Sequence, residues 1–256
     1  MRILLSNDDG VTAPGLAALR AAVADMGEVT VVAPASPQSA AGHAITVHGP
    51  LEVRHVDVGG DPPFRAISVE GRPADCVRLA IRTLLEAPPD LVLAGINEGA
   101  NVGINVFYSG TVAAAAEGAM CGFAAVAFSA GTTGGPIDYA RAGRLCRSVL
   151  DALLAGGLTR GDLMNVNLPA LRGSGPRGLR FVPQSTAGME DFYHGDTDEH
   201  GRGSYQLGSD YRFEHQADTD VAALAEGYIT VTPLHVDMTN HDRLAALAGL
   251  KWDWPS

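Results

Sequence analysis

Short apolar runs, bounded by turn residues and separated by stretches of helical period, constrain this chain more than any other feature. The clearest lie at 2–6, 28–33, 90–96, 124–129 and 163–168. Strands that read as continuous apolar segments are covered on both faces, which is the pattern of a parallel sheet beneath crossover helices. Between the first two runs, Leu16, Leu19, Val23 and Met26 recur at helical spacing behind Pro14, and Gly27 ends the segment. Further helices are expected around 73–85, 111–120 and 137–154. The fold class is α/β, built on a mostly parallel sheet with flanking helices.

Two stretches depart from this alternation. Between 44 and 69 short alternating segments, at 45–47, 51–58 and 65–69, predict an antiparallel extension. Residues 186–215 are rich in Gly, Asp, His and Tyr with little periodicity, so they read as an extended loop or hairpin arm. A short helix at 221–225 and a strand at 228–232 follow. The expected organisation is a core over 1–185 that carries the site, and an arm with a C-terminal segment over 186–256. At 256 residues the chain can bury well over half of its unfolded surface, so it needs no disulfide to hold a core. Cys76, Cys121 and Cys146 are odd in number and form no CxxC pair, which suits reduced, buried thiols of a cytoplasmic protein.

Composition removes several function classes. Of the 18 Lys and Arg residues only Lys251 is a lysine, and no phosphate-loop glycines precede it, so a Walker-type NTPase and a Schiff-base enzyme lack their lysine. A formal charge of −11 disfavours binding long nucleic acids through their phosphates. No run approaches 18 apolar residues, so neither a membrane span nor a signal peptide is expected.

Ligands of an open parallel sheet bind beyond the carboxyl ends of its strands. Four polar segments follow strands: Asn7-Asp8-Asp9-Gly10, the loop 36–42 with Ser39, the stretch from Asn97 to Thr111, and Ser129-Ala130-Gly131. Asp8 and Asp9 can converge only if the chain turns, as Gly10 permits. Two carboxylates about 4 Å apart repel by roughly 4 kcal/mol at an effective dielectric of 20, so either one is protonated or a cation lies between them. Taken alone, such a pair is an ordinary turn with solvated acids. Its position after the first strand of an apolar sheet favours the cation. Ser39 and Asn97 add neutral oxygens from two further strand ends, and the joint set of oxygens selects Mg²⁺ or Mn²⁺ over zinc. Ser109, Gly110 and Thr111 open a helix whose unpaired N–H groups bind a phosphate without lysine, although an isolated serine there is more often a plain N-cap.

Three rivals compete with this reading. The stretch 127–131, Ala-Phe-Ser-Ala-Gly, resembles a nucleophile elbow on Ser129, which makes a serine hydrolase the first. A receiver-like regulatory module also places paired aspartates after strand one, but it needs a late-strand lysine that is absent. A nucleotide-sensing protein would use the same cleft without turnover. The eight histidines, among them His43, His194, His200 and His215, show no zinc spacing. Tyr193, Arg202 and Tyr211 could reach a substrate from the arm.

These motifs together resemble the SurE (survival protein E) family of 5'/3'-nucleotidases over nearly the whole chain. The resemblance runs through Asn7-Asp8-Asp9-Gly10 with Pro14-Gly15, Ser39 with Gly42-His43-Ala44-Ile45-Thr46, and Gly95-Ile96-Asn97 with Gly99 and Asn101. It continues through Tyr108-Ser109-Gly110-Thr111-Val112, Glu117-Gly118, Asn165-Val166-Asn167-Leu168-Pro169, and Thr219-Asp220 to Thr232-Pro233-Leu234. Ala40 stands where the family pattern has glycine after the serine, and Ala35 where it has an acid.

The resemblance implies a Rossmann-like core and one divalent metal ion per subunit held by Asp8, Asp9, Ser39 and Asn97. It also implies phosphate contacts near Asn101 and Ser109 to Thr111, and subunits that pair by exchanging C-terminal segments into a homodimer or homotetramer. The expected activity is metal-dependent hydrolysis of nucleoside 5'- and 3'-monophosphates, with short-chain exopolyphosphatase activity beside it. Asp8 and Asp9 would be the catalytic carboxylates, and whether one serves as general base or nucleophile stays open.

Overall fold

In the computed structural model, which describes residues 1–251 apart from 61, 133–134, 172, 174, 199 and 209–211, the expected alternation becomes a single large sheet. Strand β1 (Arg2–Ser6), helix α1 (Pro14–Val23) and strand β2 (Glu28–Pro34) form the first crossover, with β2 parallel to β1. Strands β3 (Val53–Val58) and β4 (Phe64–Val69) pair antiparallel, and β4 joins β2 in parallel. Helix α2 (Pro73–Leu79) runs into a π-helical turn, Ala80–Leu84, and the chain returns as β5 (Leu91–Glu98) beside β1. Helix α3 (Gly110–Met120), strand β6 (Ala124–Ala130), helix α4 (Tyr139–Ala155) and strand β7 (Leu163–Leu168) extend the parallel array.

After β8 (Leu179–Phe181) the chain leaves the sheet as the arm: β9 (Met189–Glu190), β10 (Tyr193–Thr197), β11 (Gly203–Leu207) and β12 (Arg212–Phe213). Strands β10 and β11 form an antiparallel hairpin, and β9 pairs with β12. Helix α5 (Asp220–Ala225) leads back to β13 (Ile229–Leu234), followed by α6 (His241–Leu247). The strand order of the main sheet is β3-β4-β2-β1-β5-β6-β7-β13-β8. The second part of the sequence therefore re-enters the core: β13 lies antiparallel to β7 and parallel to β8.

Burial follows the sequence pattern. Every residue of β6 and all of β5 except Glu98 are buried, as expected for strands with helices on both faces. On one face α1 and α4 place Leu16, Leu19, Leu150 and Leu153 against Ile3, Leu5, Leu93 and Phe128. On the other face α2 and α3 cover Leu4, Val92 and Ala125 with Cys76, Val77 and the alanines of α3. Those alanines let α3 lie close to the sheet, and at Gly118 even one more carbon would come within 2.8 Å of the Val92 side chain.

Several expectations are corrected. Residues 45–47 form no strand, because the backbone N–H and the hydroxyl of Thr46 donate to the Asp75 carboxylate at 2.9 and 2.7 Å and Val47 projects into solvent. The helix expected over 73–85 changes to π-helical geometry at Ala80. Cys76 and Cys146 are buried, and burial pushes both thiols up, but Cys121 is only partly covered. The three-residue β8 and helix α6 were invisible to the pattern, and α6 has no buried residue. Among the described residues no helix is long and apolar enough to cross a membrane.

Candidate active site

The turn after β1 is fixed by Asn7, whose Nδ2 donates to the Gly10 carbonyl at 2.9 Å, while Gly10 takes the left-handed φ of 100°. This turn lets two sequential acids serve one place. Asp8 is 6% exposed, and its Oδ1 accepts a hydrogen bond from the Thr111 hydroxyl. Asp9 is half-buried, and its Oδ2 accepts the backbone N–H of Glu98 at 3.2 Å. Burial, with the neighbouring Asp9 charge added, pushes the Asp8 carboxyl up to about 6 against the Thr111 hydrogen bond. Burial also raises Asp9, assisted by the Glu98 charge.

Ser39 and Asn97 reach the same place from β2 and β5. Asn97 donates its Nδ2 to the Gly99 carbonyl at 2.7 Å, which leaves Oδ1 as the atom available to a ligand. Ser39 lies on an irregular loop tied by the Gln38 N–H to the Asp8 carbonyl at 2.8 Å and by the Gly42 N–H to the Tyr108 carbonyl at 2.9 Å. Beside it Ala40 adopts a φ of 56°, the conformation for which glycine is favoured, so the departure at this position is carried as local backbone strain. Asp8, Asp9, Ser39 and Asn97 all line one cleft of about 490 Å³, together with Asn101 and Ser109.

Asn101 is held by the residues below it. Asn167 Oδ1 accepts the Asn101 N–H at 2.7 Å, while Asn165 and Asn167 donate their Nδ2 groups to the Asn101 carbonyl at 2.8 and 3.1 Å. Its own side chain donates one N–H to the Ser129 hydroxyl at 2.8 Å, leaving the second N–H of the amide for the cleft. Ser129 is thus fully buried within β6, in register with Asn167 rather than on an exposed strand-to-helix turn. The nucleophile-elbow reading of that serine is corrected accordingly.

At the start of α3, Ser109 caps the helix by accepting the Val112 N–H at 3.0 Å. Gly110 is where the helix runs onto the first aspartate: a Cβ there would lie 2.7 Å from Asp8 Cβ. Thr111 is completely buried and its hydroxyl is committed to Asp8, so it acts on the cleft through that carboxylate. The far wall comes from the arm, where Tyr193 and Leu207, cross-strand partners in the hairpin, join Asp191 and Tyr108. Arg202 is not among the lining residues and pairs with Asp198 at 3.1 Å near the hairpin tip. His194 packs edge-on against Phe192, and Tyr211 lies outside the described residues.

The donor set fits a hard divalent cation. Among the described residues no group of three or more His, Cys, Asp or Glu side chains is arranged to hold a metal, so a zinc-type cage is absent. The cleft instead offers the buried Asp8 and the half-buried Asp9, an amide oxygen and a hydroxyl, with Glu98 and Asp191 also lining it and no cationic side chain among the described residues that do. Both acids are raised, which marks charge that burial disfavours and a cation would relieve. Asn7, Asn165 and Asn167 escaped assignment from spacing. The available signal was amide side chains inside runs that are otherwise apolar, as in Leu163-Met164-Asn165-Val166-Asn167-Leu168.

A family model described as "Survival protein SurE" matches residues 3–191. The chain is 44% identical over 250 residues to "5'-nucleotidase SurE 1" of Thermus thermophilus, covering 98% of each chain. It is 40% identical over 257 residues to "5'-nucleotidase SurE" of Moorella thermoacetica, covering 100% of this chain and 98% of the relative. Among solved structures, the SurE protein from Aquifex aeolicus superposes with a TM-score of 0.82 at 36% identity, covering 96% of this chain and 98% of that one.

Proposed function

The chain belongs to the SurE family, and from that membership and the oxygen-lined cleft we propose that it hydrolyses nucleoside monophosphates to nucleoside and phosphate. The single observation that carries the reading is the convergence of Asp8, Asp9, Ser39 and Asn97 in one cleft beside the start of α3. Those four residues would hold one Mg²⁺ or Mn²⁺ ion per subunit. When bound, the ion supplies Lewis-acid polarisation of a phosphoryl oxygen and activation of a water.

The protein's own groups do the rest. Thr111 and the Glu98 N–H fix the two carboxylates, and Asn97 is oriented by its bond to the Gly99 carbonyl. The remaining N–H of the Asn101 amide and the Gly110 N–H take up charge that develops on the phosphoryl oxygens, while the Ser109 N–H is held by the Asn105 carbonyl at 3.0 Å. Tyr193 and Tyr108 offer aromatic faces to the nucleoside at the outer end of the cleft. The same reading extends to 5'- and 3'-phosphates and to short polyphosphate, because the proposed contacts other than the two tyrosines all go to the phosphoryl group or the ion.

Phosphate release across a panel of mononucleotides is expected in Mn²⁺ or Mg²⁺ and to fall to background in EDTA. Nucleotide binding without release in either metal would instead support a sensing protein, and release indifferent to EDTA would remove the ion from the mechanism.

The reading extends to assembly. The C-terminal segment carries exposed apolar side chains at Val236, Met238, Leu244, Leu247 and Leu250, and α6 buries nothing within its own chain. Such a face is covered by a second copy when C-terminal segments are exchanged, giving a homodimer or a homotetramer. Light scattering is expected to give at least twice the 26.5 kDa chain mass, and a strict monomer at micromolar concentration would refute the exchange.

A further inference from the structure

Helix α3 carries one acid, Glu117, within a run of alanine and glycine, and that acid is 2% exposed. A carboxylate buried at such a position is costly unless donors meet it. Two nitrogen donors do, from distant parts of the chain, beside a weaker contact from the Cys121 thiol at 4.0 Å. His43 Nε2 lies 2.9 Å from Glu117 Oε2, and Arg78 of α2 donates Nη1 to Oε1 at 3.0 Å. The His43 hydrogen bond is the largest influence on Glu117 and holds its carboxyl below the usual range, so the group stays ionised at neutral pH.

His43 lies four residues beyond Ser39 on a segment, 35–52, that has neither helix nor strand. Between the two, Ala40 and Gly42 both take left-handed backbone conformations, with φ of 56° and 54°. A segment so bent holds its shape only where surrounding contacts over-determine it. Helix α3 is the natural reference body, because its first turn already fixes Asp8 through Thr111 and lines the cleft with Ser109.

We propose that Glu117 is a positioning residue: through His43 it holds the Ser39 loop in place relative to the carboxylates of Asp8 and Asp9. The inference rests on the reading of those residues as a cation site. Arg78 pairs with the same carboxylate from α2 and, among the described residues, makes no hydrogen bond or ion pair with the loop, which separates positioning from simple charge compensation.

The test uses the full chain with His43→Ala, His43→Gln and Arg78→Ala. Mn²⁺ affinity measured by calorimetry is expected to fall about tenfold in His43→Ala. It should return to within about threefold of wild type in His43→Gln, whose carboxamide can donate to Glu117. Arg78→Ala should stay within about twofold of wild type, the range left to a partner that does not touch the ligand loop. Wild-type affinity in His43→Ala overturns the proposal, as does an equal loss in Arg78→Ala. Hydrogen exchange judges the latch independently of the ion: the Gln38 and Gly42 amides should exchange about ten times faster in His43→Ala, and unchanged rates overturn it. If the wild-type protein takes up no Mn²⁺, the cation reading fails while the exchange rates still decide the latch.

Discussion

Asp8→Asn is expected to lower Mn²⁺-stimulated phosphate release by roughly a thousandfold, equivalent to about 4 kcal/mol of barrier, while making the metal-free protein more stable. The loss follows from removing one of the two charged donors in the proposed ligand set, whose other members, Ser39 and Asn97, are neutral. The gain follows from burial. Asp8 has its pKa raised from 3.8 to about 6 in the folded protein, so the fold binds that proton more tightly than the unfolded chain does. Stability of the metal-free protein therefore declines as pH rises from 3.8 through about 6, and at neutral pH the ionised group costs about 3 kcal/mol. Asparagine keeps the shape and an oxygen for the Thr111 hydroxyl, and never ionises. Calorimetric unfolding in EDTA should show a higher Tm for the variant at pH 7.5 and no gain near pH 4. Equal melting temperatures at pH 7.5 would show that the carboxylate is not under strain, and retained metal-dependent release would remove Asp8 from the site.

Asn167→Ala should cause the second large loss. The side-chain amide of Asn167 pairs with both backbone polar groups of Asn101, and only the carbonyl has a further donor, in Asn165. Truncation leaves the buried Asn101 N–H without its acceptor and opens a small cavity, a combined cost of about 2–4 kcal/mol. For a chain of this size that is a fall in Tm of roughly 5–15 °C. Because Asn101 faces the cleft, kcat is expected to fall by more than about tenfold with KM changing less, as for a group that acts in the transition state. Kinetics within twofold of wild type at a lowered Tm would reduce Asn167 to a packing role.

Much of the architecture was legible because buried parallel strands leave a strong trace. The runs that became β1, β2, β5, β6 and β7 are too apolar and too short to be anything else, and the helix behind Pro14 starts where the proline puts it. What escaped had a weak trace for a physical reason. Strand β8 is three residues at a sheet edge, and α6 has no core-facing stripe in its own chain. Residues 45–47 alternate like a strand, yet the carboxylate of Asp75, distant in sequence, claims the Thr46 N–H and hydroxyl.

The site divided in the same way. Of the proposed ligands, Asp8, Asp9 and Ser39 could be picked out because they follow recognisable strands, and Asn97 because it is a polar residue near the end of one. The contribution of Tyr193 depended on how the arm folds back, and the commitment of Thr111 to Asp8 depended on how closely α3 approaches β1. Glu117 did carry a local signal, as a lone acid in an alanine helix, but its partners His43 and Arg78 are set by tertiary packing.

Among the described residues the hairpin of β10 and β11 pairs only with itself, yet it supplies Tyr193 and Leu207 to the cleft, whereas Asp8, Asp9, Asn97 and Asn101 are held by the central sheet and the turns that leave it. On the proposed function, the groups that meet the phosphoryl end and those that meet the nucleoside therefore belong to separately folded pieces of the chain. Grafting a different hairpin onto this scaffold is then expected to alter which alcohol departs, with release of phosphate from a minimal phosphomonoester retained.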